Sequence, residues 1–230
     1  MNIGVPRERR PYEFRVGLSP AGVETLCQKG HTVYVEHEAG QGAGFPDQEY
    51  ERAGARILYS TDEVYGRTEL LLKATRPMDA EMDWLQPGST VLGLLHLAST
   101  RQNKIDVLLK KKITAIAYEQ IELPDGSLPV LRPFSQIGGA MAAGVAARLL
   151  QNNFGGKGVL LGGIPGVPPA EVAILGAGVV GTFAARAFIG LGAHVTVLDK
   201  SMDALTRLAQ CNPAAVTMMA PGRNSERVCA

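Results

Sequence analysis

Six residues, Gly176-Ala177-Gly178-Val179-Val180-Gly181, spell a GxGxxG. Glycine is common in this chain, with 27 residues, so the pattern alone says little. Its setting says more. A short apolar run precedes it, a helical segment follows, and Asp199 ends the next apolar run. In that setting the first Gly permits a tight turn. The second lets a pyrophosphate approach the backbone, and the third brings helix and strand together. The helix N-terminus then turns N–H groups and a positive dipole end toward phosphate. Asp199 stands where a carboxylate accepts hydrogen bonds from ribose hydroxyls and repels a 2′-phosphate. That favours NAD over NADP, a preference that Lys200 next door softens.

Three further residues carry chemistry. Arg15, in Glu13-Phe14-Arg15-Val16, has a guanidinium suited to a two-pronged grip on a carboxylate. Lys73 lies inside the apolar run Leu70-Leu71-Leu72-Lys73. A lysine there is paired, functional, or on an edge strand with its ammonium in water. His96 closes Leu94-Leu95-His96, either as a hydrogen-bonded core residue or as a site residue. Ligands of parallel α/β sheets bind outside the carboxyl ends of strands, and Lys73 and His96 both fall near such ends.

The elements that must position these residues alternate. Runs at 3–5, 31–36, 55–58, 70–75, 90–96 and 114–119 read as strands, without strict polar alternation, as for strands buried on both faces. Helix candidates lie between them, at about 47–53, 61–66, 79–85 and 101–111. The clearest starts at Ser19-Pro20 and stops at Lys29-Gly30. Pro124-Asp125-Gly126 is a turn that closes this first unit. Residues 135–151 read as one long helix with small residues suited to close packing. The Gly/Pro-rich stretch 155–169 is a linker or a loop ordered against a ligand. From Glu171 the order is strand, helix, strand, helix, strand, with another helix starting near the end. The expected fold class is α/β, with two Rossmann-like doubly wound parallel-sheet domains, residues 1–132 and 133–230. The second is incomplete, because only one mononucleotide half, the adenosine side, is present.

Composition removes other classes. Lys+Arg 23 against Asp+Glu 22 gives no electrostatic reason to expect a nucleic-acid or anionic-membrane partner. Three widely separated Cys make neither a disulfide framework nor a metal site, which suggests a reducing compartment. There is no signal-like N-terminus and no unbroken apolar stretch of membrane-spanning length, so a cytoplasmic protein is expected.

Longer segments carry a resemblance. Gly4-Val5-Pro6-Arg7-Glu8 and Glu13 to Pro20 are similar to the opening signature of the alanine dehydrogenase and transhydrogenase family. Leu94 to Ala98, Ala115 to Glu119 and Leu123 to Pro129 resemble it too. The stretch Gly155 to Pro169 is similar to the alanine dehydrogenase branch and unlike the transhydrogenase subunits.

The resemblance implies reversible oxidative deamination of L-alanine with NAD to pyruvate, ammonia and NADH. It implies that Arg15 holds the substrate carboxylate, that Lys73 contacts the carboxylate or carbonyl, and that His96 is the acid/base group. Ser135 would contact the NAD phosphates and Asp199 the ribose. The implied partners are the small substrate and, in a homo-oligomer, further copies of the chain, commonly a hexamer. Tyr12 departs from the family's Asn, Gly17 from Ala, Gln136 from Glu and Ala140 from Arg. Family members run longer, so the chain reads as cut before the nicotinamide-side half. The third strand of the second sheet is then expected to be the open edge where further strands pair. The alternative reading is a non-catalytic truncated paralogue or fragment that binds adenine nucleotide or joins full-length subunits.

Overall fold

The computed structural model describes residues 1–220. The final helix expected near the end, and Cys229, lie outside the described residues. The chain forms two compact units, Met1–Leu128 and Pro129–Ala230.

The first unit is a six-stranded parallel sheet. Its strands are β1 (Asn2–Val5), β2 (Thr32–Glu36), β3 (Arg56–Leu58), β4 (Leu70–Thr75), β5 (Thr90–Leu94) and β6 (Thr114–Ala117). Their spatial order is β3-β2-β1-β4-β5-β6. The helices are α1 (Pro20–Gln28), α2 (Asp47–Arg52), α3 (Thr61–Arg67), α4 (Asp79–Trp84) and α5 (Gln102–Lys110). The Ser19 hydroxyl accepts the Gly22 amide at the start of α1, and Pro20 loses no intrahelical bond there.

Burial on both faces holds for the inner strands β1, β2 and β4. Toward the β6 edge it gives way to alternation. One core cluster gathers Val5, Val23, Val35 and Tyr50. A second gathers Tyr65, Leu71, Met82, Leu85 and Leu95. The expected strands 90–96 and 114–119 both end early. His96 takes a left-handed backbone, φ 46°, and Tyr118–Gln120 coils into a 3-10 turn. Neither conformation continues a ladder. The strand order reverses between β1 and β4, so the loops after these two strands flank the crevice where such sheets bind ligands.

The second unit opens with α6 (Leu131–Leu149), which starts four residues before the expected Ser135. Pro133 does not stop it, because the first-turn N–H groups of a helix have no internal acceptor to lose. Then come β7 (Glu171–Leu175), α7 (Val179–Gly190), β8 (His194–Asp199), α8 (Met202–Cys211) and β9 (Val216–Met219). The parallel sheet runs β7-β8-β9. Its core includes Ala143, Ala185, Phe188, Val197 and Leu208.

The small residues of α6 serve close packing. A Cβ built on Gly139 would overlap the Val180 carbonyl of α7. The stretch 155–169 is fastened to the second unit at several points, although most of its residues are exposed. The Gly158 amide bonds the Leu150 carbonyl at 2.8 Å, Leu161 is buried in the core, and Ile164 bridges Val167. Both β7 and β9 flank the sheet. In the first unit β1 lies between β2 and β4, whereas among the described residues β7 has β8 on one side only, and the third strand β9 is the other open edge.

Candidate functional site

The loop that follows β1 carries Glu8, Arg10, Glu13 and Arg15 along one cavity of about 330 Å³. Arg15 is exposed, and its guanidinium is gripped in parallel by Glu13. Nε donates to Oε1 and a terminal nitrogen to Oε2, both at 2.7 Å. This hydrogen bonding holds the Glu13 carboxyl below its ordinary value and raises Arg15. Glu13 is thus a second-neighbour partner that orients the guanidinium. Sequence reading passed over it, although a carboxylate two residues from an arginine was the available signal.

Lys73 lies on β4 and is completely buried. Its ammonium donates to Glu81 Oε1 at 2.8 Å and lies 3.2 Å from Glu8 Oε2. Glu81, at the start of α4, also accepts the Tyr65 hydroxyl at 2.8 Å and the Met78 amide at 2.7 Å. Glu8 accepts the Ala74 amide at 2.7 Å and the Thr75 hydroxyl at 2.8 Å. Burial pushes the Tyr65 phenol up, so it stays a hydrogen-bond donor. The expected contact between Lys73 and substrate does not fit this arrangement, because the ammonium faces no solvent and would have to leave two buried carboxylates. Of the alternatives open for a lysine in an apolar run, the structure shows the paired one. Glu8 joins the network to the Arg15 cavity, since it lines that cavity and binds Lys73.

His96 follows β5 with its ring half exposed, so it is not a core residue. Buried Glu119 accepts the Leu95 amide at 3.2 Å and the His96 amide at 2.5 Å, and its Oε1 lies 3.8 Å from His96 Nδ1. The Ser99 and Thr100 hydroxyls both bond the His96 carbonyl at 3.1 Å. His96 does not line the Arg15 cavity.

In the second unit each glycine of the GxGxxG has a distinct geometry. Gly176 has φ 107°, the left-handed region that a turn out of β7 requires. Gly178 is the residue before α7, and nothing lies where its Cβ would be, so the backbone there is open to a ligand. A Cβ on Gly181 would overlap the Gly176 carbonyl oxygen. No side chain caps α7, and its first turn, beginning at Val179, carries no acidic residue. A pyrophosphate fits that cradle in both shape and charge.

Asp199 ends β8 and reaches back into the turn. Its Oδ2 accepts the Ala177 amide at 2.6 Å and its Oδ1 the Ser201 amide at 2.8 Å. These backbone donors, Ala177 first, hold the carboxyl below the usual range. Asp199 therefore fastens the glycine turn to β8, and each oxygen keeps accepting capacity for a hydroxyl. Ser135 is half-buried in the second turn of α6. It lies one turn before Gly139, on the face that meets α7.

No helix among the described residues is long and apolar enough to cross a membrane. Residues 4–138 match the family described as alanine dehydrogenase/PNT, N-terminal domain. Residues 142–228 match alanine dehydrogenase/PNT, C-terminal domain. The chain is 47% identical over 208 residues to an alanine dehydrogenase of Methanococcus maripaludis, and 44% identical to one of Mycobacterium tuberculosis. Each alignment takes in 90% of this chain and 56% of the relative. A solved L-alanine dehydrogenase superposes with a TM-score of 0.88 at 43% identity, covering 99% of this chain and 63% of that one. A transhydrogenase from Sinorhizobium meliloti gives 0.77 at 26% identity, covering 99% and 64%. The chain thus spans a little over half the length of the curated relatives it matches. With both family domains matched along nearly its whole length, the chain belongs to the alanine dehydrogenase/PNT family.

Proposed function

We propose that this chain forms the substrate unit and the adenosine half of the nucleotide unit of an L-alanine dehydrogenase. The reaction is the reversible NAD-dependent oxidative deamination of L-alanine to pyruvate and ammonia. The observation that carries this reading is the pairing of two sites in one chain. One is the glycine cradle tied down by Asp199, and the other is Arg15 and His96, each oriented by its own carboxylate in the loops after β1 and β5.

The chemistry divides among the residues. Arg15, held flat by Glu13, binds the substrate carboxylate. His96 moves the proton at the carbonyl or carbinolamine oxygen, with its loop fixed by Glu119. Lys73 acts as a positioning residue, since it holds Glu8 beneath the Arg15 cavity and Glu81 against α4. Gly176, Gly178, Val179 and Gly181 shape the pyrophosphate cradle, Ser135 approaches the phosphates, and Asp199 binds the ribose and disfavours a 2′-phosphate. The nicotinamide dinucleotide, when bound, supplies the hydride acceptor. In a homo-oligomer, hexameric in the family, further copies of the chain complete the assembly.

The test is NADH formation at 340 nm with L-alanine and NAD at alkaline pH, with NADP as the comparison. A rate abolished in His96→Ala supports the reading. The second reading, favoured by the open flank beside β7, is a non-catalytic nucleotide-binding fragment or partner of full-length subunits. NAD binding with no turnover selects the nucleotide-binding fragment, and the absence of both overturns the dehydrogenase and nucleotide-binding readings together.

A further inference from the structure

A second crevice in the first unit lies beside the β1–β4 switch point. The loops after these two strands and the approach to α5 enclose about 630 Å³. Five cations line it: Arg9, Arg10, Arg76, Arg101 and Lys104. Two carboxylates, Asp79 and Glu81, accompany them, and both are already taken. Lys104 binds Asp79 at 2.7 Å, and Lys73 binds Glu81 from beneath. Arg9 is likewise taken, by Glu36 at 2.5 Å.

Arg10, Arg76 and Arg101 remain. None of their side chains makes a hydrogen bond or ion pair among the described residues. Arg10 and Arg76 are half-buried, and Arg10 Nε is sealed from solvent with no partner. Holding guanidinium groups part-buried, unpaired and facing the same space is unfavourable through both desolvation and mutual repulsion. α5 adds to the positive field, because it starts after Arg101 with no side-chain cap and no acidic residue in its first turn. Neither Arg15 nor His96 lines this crevice, whereas Arg10 lines both it and the Arg15 cavity.

We propose that this crevice is a binding site for a compact dianion, a small dicarboxylate or a phosphate, gripped by Arg10 and Arg76 with Arg101 at its mouth. Arg101 has Asp79 nearby and Arg10 has Glu13, but among the described residues neither they nor Arg76 makes a hydrogen bond to a carboxylate, so a dianion meets free donors, and planar forks suit either oxyanion. The site needs no nucleotide and no alanine, so a failed dehydrogenase assay leaves it standing.

The test is titration calorimetry of the full chain, without nucleotide or alanine, using malonate, inorganic phosphate and acetate at low ionic strength. Malonate or phosphate is expected to bind at least about tenfold more tightly than acetate and to weaken as salt is raised. The tighter of the two identifies the ligand as carboxylate or phosphate. Arg76→Ala and Arg10→Ala, each checked for cooperative unfolding, are expected to weaken that binding by about tenfold or more. Arg67→Ala, on the far end of α3, is expected to leave it unchanged. Two results overturn the proposal: no preference for either dianion over acetate, or unchanged dianion affinity in folded Arg76→Ala and Arg10→Ala.

Discussion

Glu119 holds His96 by its backbone. The carboxylate accepts the Leu95 and His96 amides, at 3.2 and 2.5 Å, and its nearer oxygen is 3.8 Å from His96 Nδ1. One buried carboxylate from the end of β6 thereby stabilises a left-handed histidine at the end of β5. Non-glycine residues adopt that conformation only when their surroundings enforce it. Glu119→Ala leaves two amides without acceptors and is expected to cost about 1–3 kcal/mol in urea unfolding. Glu119→Gln keeps one acceptor and is expected to lose less. If the alanine variant unfolds at the wild-type midpoint, the His96 loop is held by something else.

The buried Lys73 makes a stronger prediction. Lys73→Met removes the ammonium from between Glu8 and Glu81 and leaves two buried carboxylates facing each other. Its expected cost is about 3–5 kcal/mol. The double variant Lys73→Met/Glu81→Gln is expected to regain part of that loss, because it removes one of the stranded charges. Equal stability of the single and double variants would mean that the three groups are not coupled.

Tyr50 predicts the alkaline limit. Its side chain is fully buried, and its hydroxyl donates to the Leu18 carbonyl at 2.9 Å. Burial pushes the phenol up to about 12. The unfolded chain releases this proton near pH 10, before the folded one does, so the unfolded state binds fewer protons between those values. Stability is thus complete below pH 10 and falls as pH rises toward 12. Tyr50→Phe is expected to flatten this limb of a thermal-melting profile, at the loss of one hydrogen bond. An unchanged slope would assign the alkaline loss to other groups.

Asp199 and Glu13 predict the acid side with the opposite sign. Both carboxyls are held below their ordinary values, Asp199 by the Ala177 amide and Glu13 by Arg15. Their contribution is present above the unfolded values and is lost as pH falls through the folded ones. Neither carboxyl is deep in a core, so the effect is modest. Asp199→Asn is expected to make the acid limb shallower and also to loosen the glycine turn, weakening NAD binding in a fluorescence titration. Intact NAD affinity would detach Asp199 from the cradle.

Two backbone positions complete the set. Gly181→Ala forces a methyl group against the Gly176 carbonyl and is expected to cost about 1–3 kcal/mol along with the cradle's shape. Tyr12 is a bulky residue at φ 63°, with its ring exposed. Asparagine tolerates that conformation far better. Tyr12→Asn is therefore expected to raise stability by about 1 kcal/mol. A lower melting temperature would show that the ring makes a contribution that offsets its strain.

The sequence by itself determined the parallel α/β architecture, because apolar runs alternating with capped helices admit few other arrangements. It also determined the glycine turn between β7 and α7, because the requirements on Gly176, Gly178 and Gly181 are local backbone ones written into six consecutive residues. Local signals likewise placed Ser19 as a cap and Asp199 at a strand end. Other features depend on groups far apart in the chain. Lys73 is neutralised by Glu8 and Glu81, His96 is held by Glu119, and the cationic crevice collects arginines from three loops. A buried lysine and a substrate-facing lysine look alike in sequence, since burial and pairing are decided by which residues the sheet order brings alongside. That order, with β1 beside β4, is a property of the folded sheet, and it decided the fate of Lys73.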